Sequence, residues 1–293
     1  MKTVLTAKCL RAATLAALLA TAALAATATT ARADDAPAPS ARPALTALTL
    51  NLWHDQHEWV LRRPVILDTL KALQPDVVFL QEVLEKQDLT NQAKQLAFRL
   101  GYSYLFTSVD PEGAPKRYGN AIMSKLPLTA GHEVKLDPLD DYRVASHLRV
   151  MLADRKTQVD VYVTHLHHTD EGAAIRTKQI EGLLAFIDST RAGPDTPVLV
   201  GGDFNATPDR PELAPVLARF TDALTAVHPE LQGDAAATFG RGTGERLKRI
   251  DYLFCTGAAL RPTAARIVYA APDSQGVWAS DHCGVWGRFE VGE

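Results

Sequence analysis

Eight polar residues that could do chemistry stand beside apolar stretches of the chain: Asn51, Glu82, His165, Asp203, Asn205, Asp251, Asp281 and His282. Each has an ordinary alternative, such as a turn cap for Asn51, a surface carboxylate for Glu82 or an ion pair with Arg249 for Asp251. As a set, however, carboxylates and imidazoles at the ends of so many apolar strands have no packing reason to be there. The set therefore predicts an active site.

The residue types in this set indicate metal-assisted phosphoryl chemistry. Carboxylate oxygens are hard ligands that suit Mg²⁺ or Mn²⁺. Imidazoles and amides suit the oxygens of a phosphoryl group. The sequence has no G-x-S-x-G nucleophile motif, no H-E-x-x-H zinc motif and no Gly-rich nucleotide loop of the G-x-x-x-x-G-K-[ST] type.

The clearest of the supporting elements is a buried strand that begins at Val198 and runs into Asp203. Because side chains alternate along a strand, Asp203 and Asn205 are expected to point to the same side just past its end. Gly201 and Gly202 let the backbone turn there or approach another segment closely. This places a carboxylate and an amide side by side at the rim of a sheet.

Further apolar runs predict about ten strands, which is more than one open sheet holds comfortably, so two stacked mixed sheets are expected. The strand that ends at Gln81 is expected to stop there, with Glu82 just beyond it. A helix is predicted over Trp59–Leu73, with Val60 among its buried residues. Pro64 must then lie in the first turn of this helix or divide it. Other helices are predicted over Leu89–Leu100, Ala173–Thr190 and Pro211–Phe220.

The N-terminus predicts export. Residues 1–33 combine a basic start, a short Ala-rich apolar run and an A-x-A cleavage signature, as a signal peptide does. Residues 34–43 form a Pro/Ala linker, and residues 44–293 have the length of a single domain. A secreted or periplasmic protein cleaved after about Ala33 is expected. The net charge of −3 gives no overall basic footprint for nucleic acid, although a local groove could still be positive.

Six ordered segments resemble motifs of the endonuclease/exonuclease/phosphatase superfamily, the deoxyribonuclease I-like phosphohydrolases. They are Leu50-Asn51, Gln81-Glu82-Val83, Thr164-His165-Leu166, Gly202-Asp203-Phe204-Asn205, Arg249-Ile250-Asp251-Tyr252 and Ser280-Asp281-His282. Their order and spacing match over residues 45–291. The resemblance implies an α/β fold, a four-layer α/β/β/α sandwich with two mixed β-sheets. With the export signal, the chain is similar to secreted members of bacterial type.

The resemblance also implies a role for each residue. Glu82 and Asp281 would hold the divalent metal, with Asn51 close by, and Asp203 would align or deprotonate the attacking water. Asn205 and His165 would bind the non-bridging phosphate oxygens. His282 would stabilise the developing charge or act as acid or base, oriented by Asp251. Arg143 and Asn120 lie in weaker matches and would contact the substrate phosphate. For Arg143, a surface salt bridge to Asp140 or Asp141 is the alternative.

The motifs define the reaction, and three substrate hypotheses remain. The first is a secreted nuclease or general phosphodiesterase, which basic residues in the bordering loops favour: Lys116, Arg117, Arg241, Arg246, Lys248 and Arg249. The second is a sphingomyelinase-type phospholipase C or an inositol-phosphate phosphatase. The third is a non-catalytic binding protein on the same fold. We expect a monomer that acts on nucleic acid, phospholipid or inositol phosphate without stable membrane insertion.

Cys255 and Cys283 are the cysteines that remain after the signal peptide, and the expected strand geometry keeps them apart. Cys255 should lie four residues deep along its strand from Asp251, about 13 Å at the rise of a β-strand. Cys283 should lie one residue from the same rim. A disulfide needs Cα atoms closer than about 7 Å, so free thiols are predicted despite export.

Overall fold

The computed structural model describes residues 42–292. The predicted signal peptide and most of the predicted linker lie outside these residues. Twelve strands are present in the described chain: β1 (Ala44–Asn51), β2 (Val77–Lys86), β3 (Ser103–Ser108), β4 (Lys116–Ser124), β5 (Leu128–Lys135), β6 (Val144–Met151), β7 (Gln158–His165), β8 (Val198–Asp203), β9 (Thr221–Asp222), β10 (Asp251–Cys255), β11 (Leu260–Val268) and β12 (Gly284–Val291). They form two six-stranded sheets, ordered β11-β12-β1-β2-β4-β3 and β5-β6-β7-β8-β10-β9.

Helices cover the outer faces of both sheets, so the predicted four-layer sandwich is confirmed. The α-helices of the described residues are α1 (Trp59–Leu73), α2 (Gln92–Leu100), α3 (Ala173–Thr190), α4 (Ala214–Arg219) and α5 (Ala223–Val227). Helices α1 and α2 pack on the first sheet, and α3 and α4 pack on the second. Helix α5 contributes to the core between the sheets.

The period-2 alternation of the strands divides the buried residues among three cores. On β2, Val77 and Phe79 face the central core between the sheets, while Val78 and Leu80 face helices α1 and α2. The two sheets pack closely at Gly201, where an added Cβ would lie 2.1 Å from the Phe79 ring. The close approach predicted for this glycine is therefore confirmed.

Each sheet contains one parallel pair, and these pairs bring the polar strand ends together. Strands β1 and β2 run parallel in the first sheet, as do β7 and β8 in the second. Strand β10 runs antiparallel to β8, so it begins at the rim where β8 ends. Carboxyl ends of parallel strands are the usual place for ligands in α/β folds.

Helix α1 departs from the prediction in two ways. Pro64 lies beyond the first turn, and the helix continues through it. Proline has no N–H to donate to the carbonyl of Val60, but Val60 is 67 % exposed, so water can bind that carbonyl instead. The prediction that Val60 is buried is wrong. Arg62 is buried instead, at 1 % exposure.

Strand β2 does not end at Gln81, so the expectation that Glu82 follows the strand is wrong. The strand continues to Lys86 through a β-bulge between Leu80 and Val83, and Glu82 sits in the bulge with a φ of 55°. An extra residue re-aims its neighbours, and bulges of this kind are frequent beside active sites. Strand β5, which the sequence analysis did not predict, is largely exposed and lacks the apolar alternation that marks a strand.

The prediction of two free thiols is confirmed for the described residues. Cys255 and Cys283 are both buried and unbridged, Cys255 at the end of β10 in the second sheet and Cys283 just before β12 in the first. Burial raises the pKa of Cys255 to about 12 and that of Cys283 to about 11, which keeps both thiols protonated.

A buried ion pair away from the rim offers a test of what stabilises the second sheet. Asp160 on β7 accepts hydrogen bonds from His147 Nε2 at 2.8 Å and Arg149 Nε at 2.7 Å. Burial by itself raises the pKa of Asp160, but these two bonds hold it below its ordinary value of 3.8. Because the folded-state pKa is depressed, the stability this carboxylate contributes is present above pH 3.8 and is lost as the pH falls through the folded value.

We therefore expect Asp160→Asn to lower the free energy of unfolding at pH 7 by about 3 kcal/mol, since it leaves buried donors without a charged acceptor. Urea unfolding measures this, and the difference from the wild type should shrink as the pH falls below 3.8. The matched control is Asp188→Asn, which removes an exposed pair with Arg219 and should cost about 1 kcal/mol or less. If the wild type and Asp160→Asn differed in unfolding free energy by the same amount at pH 7 and below pH 3.8, the charge of Asp160 would not be the source of the stability.

Candidate active site

Three neighbouring strands of the second sheet place three of the predicted residues in a row. His165 ends β7 opposite Asp203, which ends β8, and Asp203 in turn pairs with Asp251 at the start of β10. All three side chains are almost completely buried. The row is thus built by strand register alone.

The first sheet meets this row through Asn51 at the end of β1. Its Nδ2 donates to Asp203 Oδ2 across 3.1 Å, and its Oδ1 accepts from the backbone N–H of Trp53. Burial and the neighbouring Asp251 carboxylate raise the pKa of Asp203 to about 7. Asp203 therefore has the proton affinity of a base that works near neutral pH.

Asp251 and His282 form a hydrogen-bonded dyad. Asp251 Oδ2 lies 2.9 Å from His282 Nδ1, and His282 Nε2 lies 3.8 Å from Asp203 Oδ2. Although burial by itself lowers the pKa of His282, the carboxylates of Asp251, Asp203 and Asp281 raise it to about 10. The imidazole is therefore protonated at neutral pH and presents a positive N–H to the rim.

Asp251 is also fixed from the backbone side. The hydroxyl of Thr238 accepts from the backbone N–H groups of Ile250 and Asp251, both at 3.0 Å. The Oδ1 atom of Asp251 is buried and has no hydrogen-bond partner. A buried carboxylate oxygen without a hydrogen-bond partner costs free energy unless a bound group donates a hydrogen bond to it.

His165 is neutral, in contrast to His282. Arg143 Nη1 lies 3.0 Å from His165 Nδ1, and because a guanidinium can only donate, the His165 proton must be on Nε2. That Nε2 lies 3.5 Å from Asp203 Oδ2. Burial and the Arg143 charge hold the pKa of His165 well below its usual range. His165 is thus a neutral donor aimed into the site.

Arg143 lies at the site and next to Asp141 at the same time. It is 8 % exposed, and its Nε is 3.8 Å from Asp141 Oδ2. Asp141 is bound more closely by His167 Nδ1 at 2.6 Å and Gln179 Nε2 at 2.6 Å. The histidine-rich loop after β7 is therefore held by side-chain hydrogen bonds and does not gather its imidazoles around one point.

Asn205 and Asn120 are both tied to backbone carbonyls. Asn205 has a φ of 50°, and its Nδ2 donates to the carbonyl of Leu166 at 3.0 Å. Its backbone N–H donates to Asp203 Oδ1, which forms an Asx-turn. This turn therefore also orients the Asp203 carboxylate in the site. Asn120 on β4 donates to the carbonyl of Val144 at 3.0 Å and joins the two sheets beside Arg143.

Glu82 and Asp281 lie near one another on the first-sheet side of the rim. Burial raises the pKa of Asp281, and the negative charge of Glu82 raises it further against the lowering effect of His282. Burial and the negative charge of Glu82 raise the pKa of the nearby Tyr118 hydroxyl. Two neighbouring carboxylates fit a site for a divalent cation.

One group of three residues in the described chain has metal-ligand spacing. Ligand atoms of Asp203, Asp251 and His282 lie within 4.8 Å of one another. His282 is a poor ligand there, since Nδ1 faces Asp251 and a protonated imidazole has no lone pair on Nε2. The chemistry of the donors therefore favours Glu82 and Asp281 for a hard cation and the trio for proton transfer.

Arg62 is the residue of the site region that the sequence analysis missed. All its hydrogen bonds go to backbone carbonyls: those of Leu52, Trp53, His54 and Gln56 after β1, and that of Ala279 before Asp281. Burial lowers its pKa to about 10, while Asp281 and Glu82 act in the opposite direction. Arg62 thus clamps the segment after Asn51 to the segment that carries Asp281 and His282.

The fold and this rim define a class, the four-layer phosphohydrolase sandwich, in which polar strand ends from two sheets meet around a phosphoester. Residues 48–282 match the Endonuclease/Exonuclease/phosphatase family, and the chain belongs to that family. The resemblance seen in the six sequence motifs is therefore confirmed.

Relatives are found both by sequence and by structure. Nocturnin of Xenopus laevis is 28 % identical over 228 residues, which cover 71 % of this chain and 57 % of that protein. The chain thus spans little more than half the length of this relative. The structure of ANGEL2, a 2′,3′-cyclic phosphatase in complex with adenosine-2′,3′-vanadate, matches with a TM-score of 0.72 at 18 % identity, over 85 % of this chain and 96 % of that one. TDP2 of D. rerio complexed with single strand DNA product matches with a TM-score of 0.69 at 20 % identity, over 85 % and 99 %.

Proposed function

We propose that this protein is a divalent-metal-dependent phosphodiesterase, with nucleic acid or a nucleotide ester as its substrate. The observation that carries the proposal is the meeting of three groups at one rim: His282 Nδ1 lies 2.9 Å from Asp251 Oδ2, and its Nε2 lies 3.8 Å from Asp203 Oδ2. A general base and a positive donor then face the same point from two sheets, as hydrolysis of a phosphoester requires.

The residues divide the reaction among them. Asp203 accepts a proton from the attacking water, and Asn51 keeps its carboxylate in position. His165 and Asn205 donate to the non-bridging oxygens of the phosphoryl group. His282 stabilises the charge that develops there and can protonate the leaving oxygen, while Asp251 holds its tautomer and orientation. Arg143 positions His165 and adds positive potential.

Glu82 and Asp281 would hold the metal ion, which we propose to be Mg²⁺ or Mn²⁺. Held there, the ion would supply Lewis-acid polarisation of the phosphoryl oxygen and would stabilise the leaving oxygen. The bulge that carries Glu82 and the raised pKa of Asp281 support this placement.

Activity should be abolished by exhaustive chelation with EDTA and restored by Mg²⁺. In Glu82→Gln, the Mg²⁺ concentration for half-maximal activity should rise by about tenfold or more, because one charged ligand is gone. A Mg²⁺ titration of the initial rate measures this. Glu85→Gln is the matched control, on the same strand near Arg117, and should leave the requirement unchanged. Full activity after chelation would refute the metal assignment.

Nucleotide substrates are preferred to lipids because of what two proteins of the same fold bind. ANGEL2 and TDP2 share the fold and were solved with adenosine-2′,3′-vanadate and with single strand DNA product, which supports a nucleotide ester here. No helix among residues 42–292 is long and apolar enough to cross a membrane. Basic loops contribute less than the sequence suggested, since Arg249 is paired with Asp222 and Lys248 with Asp170.

A non-catalytic binding protein is disfavoured because every side chain of the set is present and placed at one rim. We also propose that the enzyme acts outside the cytoplasm, on the strength of the basic start and the A-x-A signature in residues 1–33. N-terminal sequencing of the exported protein should find Asp34 first, and an uncut Met1 would contradict export with cleavage.

A further inference from the structure

A cavity lined by described residues adjoins the candidate active site and has no part in the reaction proposed above. It has a volume of about 630 Å³ and lies between the segment after β1 and the loops that precede β10 and β12. Ser280 is at its inner end, where Oγ lies 2.7 Å from the carbonyl oxygen of Asn51 and 3.1 Å from Asp281 Oδ1. A ligand in this cavity is therefore one residue away from a carboxylate of the reaction centre.

Trp278 lines the cavity, and the backbone of Gly242 packs against its indole ring. Gly242 has a φ of +78°, and a Cβ at this position would lie 2.3 Å from Cε2 of the indole. Only a glycine lets the backbone pack this closely on the ring. The indole is thus fixed before any ligand arrives.

Trp53 also lines the cavity and is fixed in a different way. Its ring stacks on His57 at a centroid distance of 4.3 Å, and the Arg62 guanidinium lies 5.6 Å from its centroid. Arg62 also binds the backbone carbonyl of Trp53. The two indoles therefore belong to a pre-formed cavity, as small-molecule sites require.

The rim of the cavity carries polar groups of both kinds. Arg241 lines the rim with its guanidinium, and Glu58 and Glu245 offer carboxylate acceptors, while the hydroxyl of Thr243 donates to the carbonyl of Gly240. Aromatic walls stack on planar rings, and carboxylates accept from the amino groups of bases. An acyl chain would use the walls and leave these polar groups without partners.

We infer that this cavity is a nucleobase subsite, which holds the base of the nucleotide whose phosphate reaches Asp203 and His282. This inference rests on the proposed function and narrows it to phosphodiesters that carry a nucleoside. The subsite supplies binding free energy outside the reacting atoms, so it should raise kcat/KM for nucleoside esters over simple esters.

The test compares two esters with the same leaving group, thymidine 5′-(p-nitrophenyl phosphate) and methyl p-nitrophenyl phosphate. Trp278→Ala should lower kcat/KM for the thymidine ester by about 5- to 100-fold, the range of a lost stacking contact, and leave the methyl ester within about twofold. Trp278→Phe should retain most of the thymidine rate. Tyr104→Ala, on β3 and outside the cavity lining, is the matched control and should change neither rate.

Equal losses on both esters in Trp278→Ala would overturn the inference, because Trp278 would then serve only the fold or the chemistry. Faster hydrolysis of sphingomyelin micelles than of the thymidine ester, with the same loss in Trp278→Ala, would overturn it in favour of a lipid. A binding measurement separates the subsite from the reaction. Adenosine 5′-monophosphate should quench the tryptophan fluorescence of the wild type and bind Trp278→Ala, where Trp53 remains as the reporter, at least about fivefold more weakly, even if neither ester is hydrolysed. Failure to quench the wild type would contradict the subsite.

Discussion

His282→Ala is expected to slow phosphodiester hydrolysis by about 10²- to 10⁴-fold, the range for loss of a general acid–base group. The loss should appear in kcat, because the positive N–H of His282 matters most when charge develops in the transition state. Asp251→Asn should also be slow, since its amide cannot raise the pKa of His282 or hold its tautomer as the carboxylate does at 2.9 Å.

The double variant Asp251→Asn/His282→Ala separates a pair from two independent residues. If the two act as a unit, the double variant is no slower than His282→Ala alone. Multiplying losses would show that Asp251 works independently of His282. His228→Ala is the control. This imidazole follows helix α5 and hydrogen-bonds with Glu230 and the carbonyl of Ala265, so the rate of the variant should match that of the wild type.

Arg62→Met should destabilise the protein by about 3–5 kcal/mol, because it leaves several buried carbonyl groups without their charged donor. Chemical denaturation measures this loss. Arg62→Lys should not restore it, since an ammonium cannot reach the carbonyls after β1 and that of Ala279 with one planar fork. Arg63→Met is the matched control on the same helix turn, where the lost partner is the partly exposed Gln95, and it should cost about 1 kcal/mol or less.

A folded Arg62→Met protein should also lose activity, because the carbonyl of Ala279 anchors the segment that carries Asp281 and His282. Unchanged stability would mean that water replaces the guanidinium in the clamp. Unchanged activity in a destabilised variant would mean that this segment keeps its position without Arg62.

Strand-end chemistry could be predicted from the sequence because two periodic rules act together. Alternation identifies a strand, and the residue at its end then has a known rim and side. Asp203, Asp251 and His165 follow these rules, and strand register places them side by side. The six motifs assigned residues of both sheets to one site, which periodicity cannot do, but the hydrogen bond between Asn51 and Asp203 is seen only in the structure.

Other features depend on tertiary contacts that leave no local signal. A buried arginine in an amphipathic helix looks like a solvated one, so Arg62 could be found only once its carbonyl partners were in place. The bulge at Glu82 needs the facing strand β4 to define it, because a bulge is a property of a pair. The cavity between Trp53 and Trp278 joins segments more than two hundred residues apart in the chain.

The role of Asp203 in the attack of water is tested most directly by a steady-state rate. The wild type and Asp203→Asn are compared on bis(p-nitrophenyl) phosphate at saturating Mg²⁺. Asn at this position keeps the size of the side chain and the strand register but cannot accept a proton from water. We expect the wild type to turn over and Asp203→Asn to be slower by about 10²-fold or more, with both proteins equally folded by circular dichroism. Equal rates for the two proteins, or no hydrolysis by the wild type with either Mg²⁺ or Mn²⁺, would contradict a metal-assisted attack of water organised by Asp203.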